Sequence, residues 1–187
     1  MKGFILGMIL FISALSVFAN KNNCSSKIIG HNVLVNSVFQ FAVDKKKACF
    51  FAFYTENPEP MVDVKGNGND GDAVWYGYYQ VSSPEKIYEF PKPLDTGWAN
   101  VCSIDAISFY DMNGDKQPDV TVIGSCNRNA IHYTFPFVFI WNGNKYVLNK
   151  NVYRTLYGFL SLTVADVRAY IKAPKLYIKV LERDNKL

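Results

Sequence analysis

Asp111, Asn113, Asp115 and Asp119 place four oxygen-bearing side chains within the stretch Asp111-Met112-Asn113-Gly114-Asp115-Lys116-Gln117-Pro118-Asp119. Ca²⁺ takes six to eight hard oxygen ligands at roughly 2.3–2.6 Å, and a loop supplies them from side chains at positions 1, 3 and 5, a backbone carbonyl at 7 and a residue at 9. Here those positions are Asp111, Asn113, Asp115, the Gln117 carbonyl and Asp119. Three carboxylates this close repel one another, so a bound cation would order the loop more than its own packing does. The alternative is a polar Asx-turn hairpin without metal, because Asn-Gly and Asp-rich tips also make ordinary turns.

The flanks decide which kind of calcium loop this would be. An EF-hand needs helices on both sides and a closing glutamate, and Val120-Thr121-Val122-Ile123-Gly124 supplies neither. That segment and Ala106-Ile107-Ser108-Phe109-Tyr110 are rich in β-branched and aromatic residues, as strands are. The reading is therefore a β-hairpin clipped at its tip. It resembles the D-x-N-G-D-G-x-x-D-hydrophobic loops of FG-GAP and VCBS-type repeats, the calcium hairpins of integrin-like β-propellers. Asp111, Asn113, Asp115 and Asp119 fall on that family's ligand positions, and Pro118-Asp119-Val120 fits its usual ending. Lys116 stands where the family has a glycine for a backbone turn with φ > 0, a conformation that costs lysine about 1 kcal/mol. The resemblance covers roughly 20 residues, far from the several hundred of a whole propeller. A second polar cluster, Asp63 to Asp72, lacks the alternate spacing and reads as a flexible surface loop.

Lys2, the apolar run Phe4 to Phe18 and Val17-Phe18-Ala19 read as a secretory signal over residues 1–19, with the mature chain starting near Asn20. An apolar run of about 15 residues is short for a bilayer that needs about 20, and no second span follows, so the mature chain is expected to carry no transmembrane segment. The expected location is the periplasm or the exterior. One domain over residues 20–187 suits the remaining length. An even set of cysteines in an exported chain, Cys24, Cys49, Cys102 and Cys126, argues for two disulfides. If Asp111 sits opposite Asp119, the hairpin register brings Cys102 near Cys126 and leaves Cys24 for Cys49. Buried thiols or a thiolate-ligated metal are the alternatives, the latter without any C-x-x-C spacing.

The elements that must position the loop are mostly strands. Val38 to Val43 and Ala48 to Tyr54 flank Asp44-Lys45-Lys46-Lys47 as a hairpin; Val74 to Val81 and Lys86 to Phe90 read as the next strands. Tyr133 to Trp141, Asn142-Gly143-Asn144 and Lys145 to Leu148 make a further hairpin, with Pro136 placing its strand at an edge or bulge. Thr163 followed by Asp166 reads as a capping box opening a helix over Val164 to Lys172 that Ala173-Pro174 ends, and Leu176 to Leu181 then reads as a last strand. The fold class is mainly β: a single antiparallel β domain, sandwich or propeller-like, with one short C-terminal helix.

Catalytic signatures are missing. His31 and His132 belong to no H-E-x-x-H, and there is no G-x-S-x-G, phosphate-cradling loop or dinucleotide fingerprint. Asn20 to Asn144 carries 10 Lys+Arg against 13 Asp+Glu, and Lys145 to Leu187 carries 9 against 3. That basic end suits an acidic partner or a solvated face, and so modest a charge in an exported chain argues against nucleic acid.

An exported, calcium-clipped, disulfide-stapled β domain without a catalytic signature is most economically a non-enzymatic binding protein. The single hairpin followed by Trp141-Asn142-Gly143-Asn144-Lys145-Tyr146 loosely resembles small periplasmic proteins related to the FG-GAP type. Some of those neutralise lysozyme-like cell-wall hydrolases as inhibitors or immunity proteins against toxins, and the resemblance implies such a hydrolase or toxin as partner. The alternatives are a glycan- or surface-binding adhesin module, in which Trp75, Tyr76, Tyr78, Tyr79 and Trp98 stack on sugars, and a small cell-wall enzyme.

Overall fold

Period-two alternation gives every strand two faces, and the long strands of this chain are apolar on both, so both faces need a covering layer. The computed structural model describes residues 24–25, 27–28, 30–34, 36–55, 61–62, 68–69, 73–91, 103–128, 131–157 and 159–183. The expected leader, Trp98, Cys102 and most of the Asp63 to Asp72 segment lie outside them.

In chain order the elements are β1 (Asn32–Val33), β2 (Phe39–Val43), β3 (Lys46–Thr55), β4 (Met61–Val62), β5 (Gly68–Asn69), β6 (Ala73–Gln80), β7 (Ser83–Glu89), β8 (Ser103–Tyr110), β9 (Asp119–Arg128), β10 (Ile131–Trp141), β11 (Tyr146–Leu148), α1 (Lys150–Leu156), α2 (Val164–Lys172) and α3 (Pro174–Arg183). One antiparallel sheet runs β1-β3-β6-β7, with β2 also paired to β3; a second runs β11-β10-β9-β8; β4 and β5 form a small ribbon. The mainly β reading therefore holds, with two principal sheets.

The two sheets meet through an aromatic core. Phe50, Tyr76, Tyr78 and Phe90 of the first face Val122, Phe137, Phe139 and Tyr146 of the second, with ring centroids 5.9 Å apart for Tyr76–Phe137 and 4.8 Å for Phe90–Phe139. The opposite face of the second sheet, through Ile123 and Val138, packs on Val152, Leu156, Leu162 and Val167 of the helical segment. The opposite face of the first sheet, through Phe51, Phe53, Trp75 and Tyr79, packs on Cys24, Ile28 and Val33. Cys24 and Cys49 are joined there, their Cα atoms 5.7 Å apart, and Tyr79 Oη accepts the Ser25 N–H at 2.8 Å.

The helical end corrects the sequence reading. Three helices stand where one was expected, and Leu176 to Leu181 is part of α3 rather than a strand. Pro174 does not close the helical region; it opens α3, because the first helical position needs no N–H and tolerates proline's fixed φ. Helix α1 was missed although Asn149 caps it, its side chain accepting the Val152 N–H. The capping box of α2 has the form the sequence predicts, with Thr163 and Asp166 each bonding the other's backbone N–H. Pro136 lies in an interior strand, but at a point where β11 has already ended, since β11 pairs only with Phe139 to Trp141. Its missing donor therefore leaves no ladder bond unmade on that side.

Gly77 permits a close approach that any side chain would block. It pairs with Phe51 across β3 and β6, and a Cβ on it would sit 2.8 Å from the Phe51 ring, itself fully buried. Gly77→Ala is expected to destabilise the fold by about 1–3 kcal/mol through overpacking, lowering Tm by several degrees in a thermal melt. An unchanged Tm would show that the Phe51 ring can move aside.

Candidate metal centre

The strand ladder delivers the two ends of the Asp111 to Asp119 loop side by side. Hairpin β8–β9 pairs Ala106 with Ile123 and continues without slippage to Tyr110 opposite Asp119. Asp119 is the first residue of β9, and the alternation that turns Phe109 and Val120 toward the aromatic core leaves it at the head of the opposite row.

Its carboxylate is fully buried, at 0% exposure. Oδ2 accepts the Met112 N–H at 2.9 Å and Oδ1 accepts the Trp141 N–H at 3.0 Å. One side chain thus ties the start of the loop to the end of β10. Beside it, the Tyr146 hydroxyl donates to the Pro118 carbonyl at 2.9 Å, adding β11 to the same junction. Burial is the main influence on Asp119 and raises its pKa above the ordinary 3.8; the Asp115 and Asp111 charges push the same way, and the two amide bonds oppose them. Burial also raises the Tyr146 hydroxyl, helped by Tyr78, Asp119 and Asp115.

The rest of the loop is wound by its own side chains. Asp111 Oδ1 and Oδ2 accept the Gly114 and Lys116 amides at 2.7 and 2.8 Å; Asn113 Oδ1 accepts the Asp115 amide at 3.0 Å; Asp115 Oδ1 accepts the Gln117 amide at 2.7 Å. Gly114 at φ 84° and Lys116 at φ 66° turn the chain back on itself, so the lysine accepts the left-handed conformation the sequence demands of it. Asn113 Nδ2 donates to Asp115 Oδ2 at 3.0 Å.

The donor set fits calcium in its chemistry. It offers carboxylates, an amide oxygen and backbone carbonyls, all hard oxygens, and each carboxylate oxygen that accepts one amide keeps a further lone pair. Convergence is incomplete: among the described residues, no three His, Cys, Asp or Glu side chains gather closely enough to hold a metal ion by themselves. Any cage therefore needs the Asn113 oxygen and main-chain carbonyls such as that of Gln117.

One anchor escaped the sequence reading. Gln117 was marked for its carbonyl, yet its side-chain Oε1 accepts the Asp44 N–H at 3.0 Å. Asp44 and Lys45, at φ 48° and 60°, form the two-residue turn between β2 and β3. The loop and this turn, with exposed Lys45, Lys46 and Lys47, are thus docked to each other. The contact joins residues 73 apart in the chain, and no local pattern announces it.

Of the aromatics expected to stack on sugars, the four described are buried, and Trp98 lies outside the described residues. Trp75, Tyr76, Tyr78 and Tyr79 are 4–5% exposed and belong to the two cores of the first sheet, because both faces of that sheet are covered. Tyr78 contributes, with half-buried Tyr88, Lys145, Tyr146 and Leu148, to the lining of a cleft of about 660 Å³ where β7 and β11 approach. His31 packs edge-on to Phe53, 4.4 Å between centroids, as a structural ring. The Cys102–Cys126 pairing falls partly outside the described residues.

The Asp119 environment sets a pH dependence in chelator. Its folded pKa is raised, so its contribution is fully present below the unfolded value near 3.8 and is lost as pH rises through the folded value. Wild type should therefore lose stability over that window, in urea titrations run in chelator, by an amount that Asp119→Ala no longer shows. The same variant orphans two amides and should be less stable at every pH by about 2 kcal/mol or more. Equal stability of variant and wild type would remove Asp119 from its role as junction.

The chain matches no family model, no curated protein and no solved structure.

Proposed function

We propose that this chain is an exported, calcium-binding, non-enzymatic binding protein that blocks a cell-wall hydrolase or toxin, with the Asp111 to Asp119 hairpin as the inserted element. The observation that carries the reading is the loop itself: an Asx-wound turn of hard oxygen donors, anchored below by buried Asp119 and beside it by the Gln117–Asp44 bond.

Asp111, Asn113, Asp115, the Gln117 carbonyl and Asp119 would hold the ion. Calcium there neutralises like charges that otherwise repel, including the pressure that Asp111 and Asp115 place on buried Asp119. A loop ordered before encounter loses less conformational entropy on entering a cleft, and that difference goes into affinity. Docking of the loop on the β2–β3 turn gives a protruding element two hairpins wide, stiffer than either alone.

The glycan-binding alternative has one observation left to it, the Tyr88 and Tyr146 cleft. Among the described residues Trp75, Tyr76, Tyr78 and Tyr79 form no exposed aromatic row, so the hydrolase reading stands ahead.

Two measurements test the proposal. Calcium at 100 times its Kd adds about 2.7 kcal/mol, so the melt should shift upward by roughly 5–10 °C relative to chelator. Superimposable melts would remove calcium from the account. Partners captured from the native secretome should then include a peptidoglycan hydrolase whose lytic activity this protein suppresses in calcium and suppresses less in chelator. Retention on immobilised glycans with no hydrolase captured would transfer the function to the cleft, and lysis by the purified protein itself would make it an enzyme.

A further inference from the structure

Among the described residues, neither the sheets nor the other helices cover the outward face of α3, where Lys175, Leu176, Lys179 and Arg183 are exposed. Tyr177 and Ile178 face inward onto the core that α1 and α2 share with the second sheet, and the Tyr177 hydroxyl bonds Asp166 of α2, which fixes the rotation of α3 about its axis. Residues four apart stack in rows along a helix. Lys175, Lys179 and Arg183 therefore form one row on the side away from Tyr177 and Ile178, and Leu176 and Val180 form the row beside it. Leu176 is 68% exposed, the most exposed large hydrophobic residue among those described. Lys172, at the end of α2, precedes the Ala173-Pro174 corner and adds a fourth cation close to the start of the basic row.

We propose that this face of α3 is a membrane-surface contact, which holds the protein against an anionic lipid bilayer with Leu176 dipped into the headgroup boundary and Lys172, Lys175, Lys179 and Arg183 among the phosphates. Charge complementarity selects the occupant. From Lys145 onward the chain carries 9 basic against 3 acidic residues, the reverse of its preceding part, and four of those cations, Lys172, Lys175, Lys179 and Arg183, fall on α3 or at its start, where they suit a negative plane. Lysines outnumber arginine in the row, and lysine is a mobile point charge suited to a diffuse layer of headgroup charge, whereas arginine's rigid fork suits a fixed carboxylate. The outward rows hold no aromatic side chain of the kind that anchors a protein partner. Among the described residues no helix is long and apolar enough to cross a membrane, so α3 would lie on the surface and not span it. This inference is independent of the calcium loop and of the hydrolase.

The test is flotation of the mature chain with vesicles of phosphatidylcholine containing phosphatidylglycerol, against phosphatidylcholine alone, at low and high salt. Binding is expected to the anionic vesicles only and to vanish in high salt. Lys175→Gln/Lys179→Gln should weaken it roughly 25-fold, at about fivefold per lysine, and Leu176→Ser should weaken it further; all these positions are exposed, and unchanged melts would confirm that the variants fold. Equal partition to both vesicle types, no partition to either, or anionic binding indifferent to these substitutions would overturn the proposal. Selective binding to an acidic protein in place of the vesicles would assign the face to a protein partner and equally overturn it.

Discussion

A carboxylate buried to 0% exposure between two backbone amides is the constraint on which the second sheet and its loop depend. Asp119 cannot leave without orphaning the Met112 and Trp141 amides, and each orphaned buried amide costs about 1–3 kcal/mol. It cannot be comfortable either, because burial and two neighbouring acids work against its charge. The residue is thus held by geometry in a place its electrostatics disfavour. A divalent cation bound to the loop would relieve that conflict at its source, which is the physical reason for proposing a calcium site beside Asp119.

From this junction the layers follow. Asp119 opens β9, whose even-numbered residues Val120 and Val122 enter the aromatic core between the sheets while Ile123 faces the helices. Trp141 closes β10, and the turn to Tyr146 is wound by Asn142, whose side chain accepts the Asn144 and Lys145 amides. Tyr146 then returns to Pro118 beside Asp119. The first sheet meets this arrangement through rings and is closed on its far side by the segment that Cys24 tethers to Cys49.

Local chemistry was legible in the sequence, and long-range covering was not. Thr163 with Asp166 and the strands flanking Asp111 to Asp119 are written in a few neighbouring residues, and they stand where the pattern puts them. Leu176 to Leu181 misled because a short apolar run suits a strand as well as a buried helix side; the i, i+4 spacing of Lys175, Lys179 and Arg183 was the signal for the helix. The cap at Asn149 with Val152, Tyr153 and Leu156 on one side was equally present for α1. Val74 to Val81 read as a strand, and Ala73–Gln80 is one, but only the fold reveals that both its sides are covered. The Gln117–Asp44 bond depends on two hairpins meeting, and no periodicity carries that information.

The most direct test of the central claim is amide hydrogen exchange across residues 111 to 141, in chelator and in saturating calcium. The Met112 and Trp141 amides should be protected in both conditions, because Asp119 holds them whether or not an ion is bound. The Gly114, Asp115, Lys116 and Gln117 amides, bonded to the half-buried Asp111 and the exposed Asn113 and Asp115 side chains, should gain protection if calcium locks those side chains. Rapid exchange at Met112 and Trp141 under native conditions, or loop amides indifferent to calcium, would contradict the account.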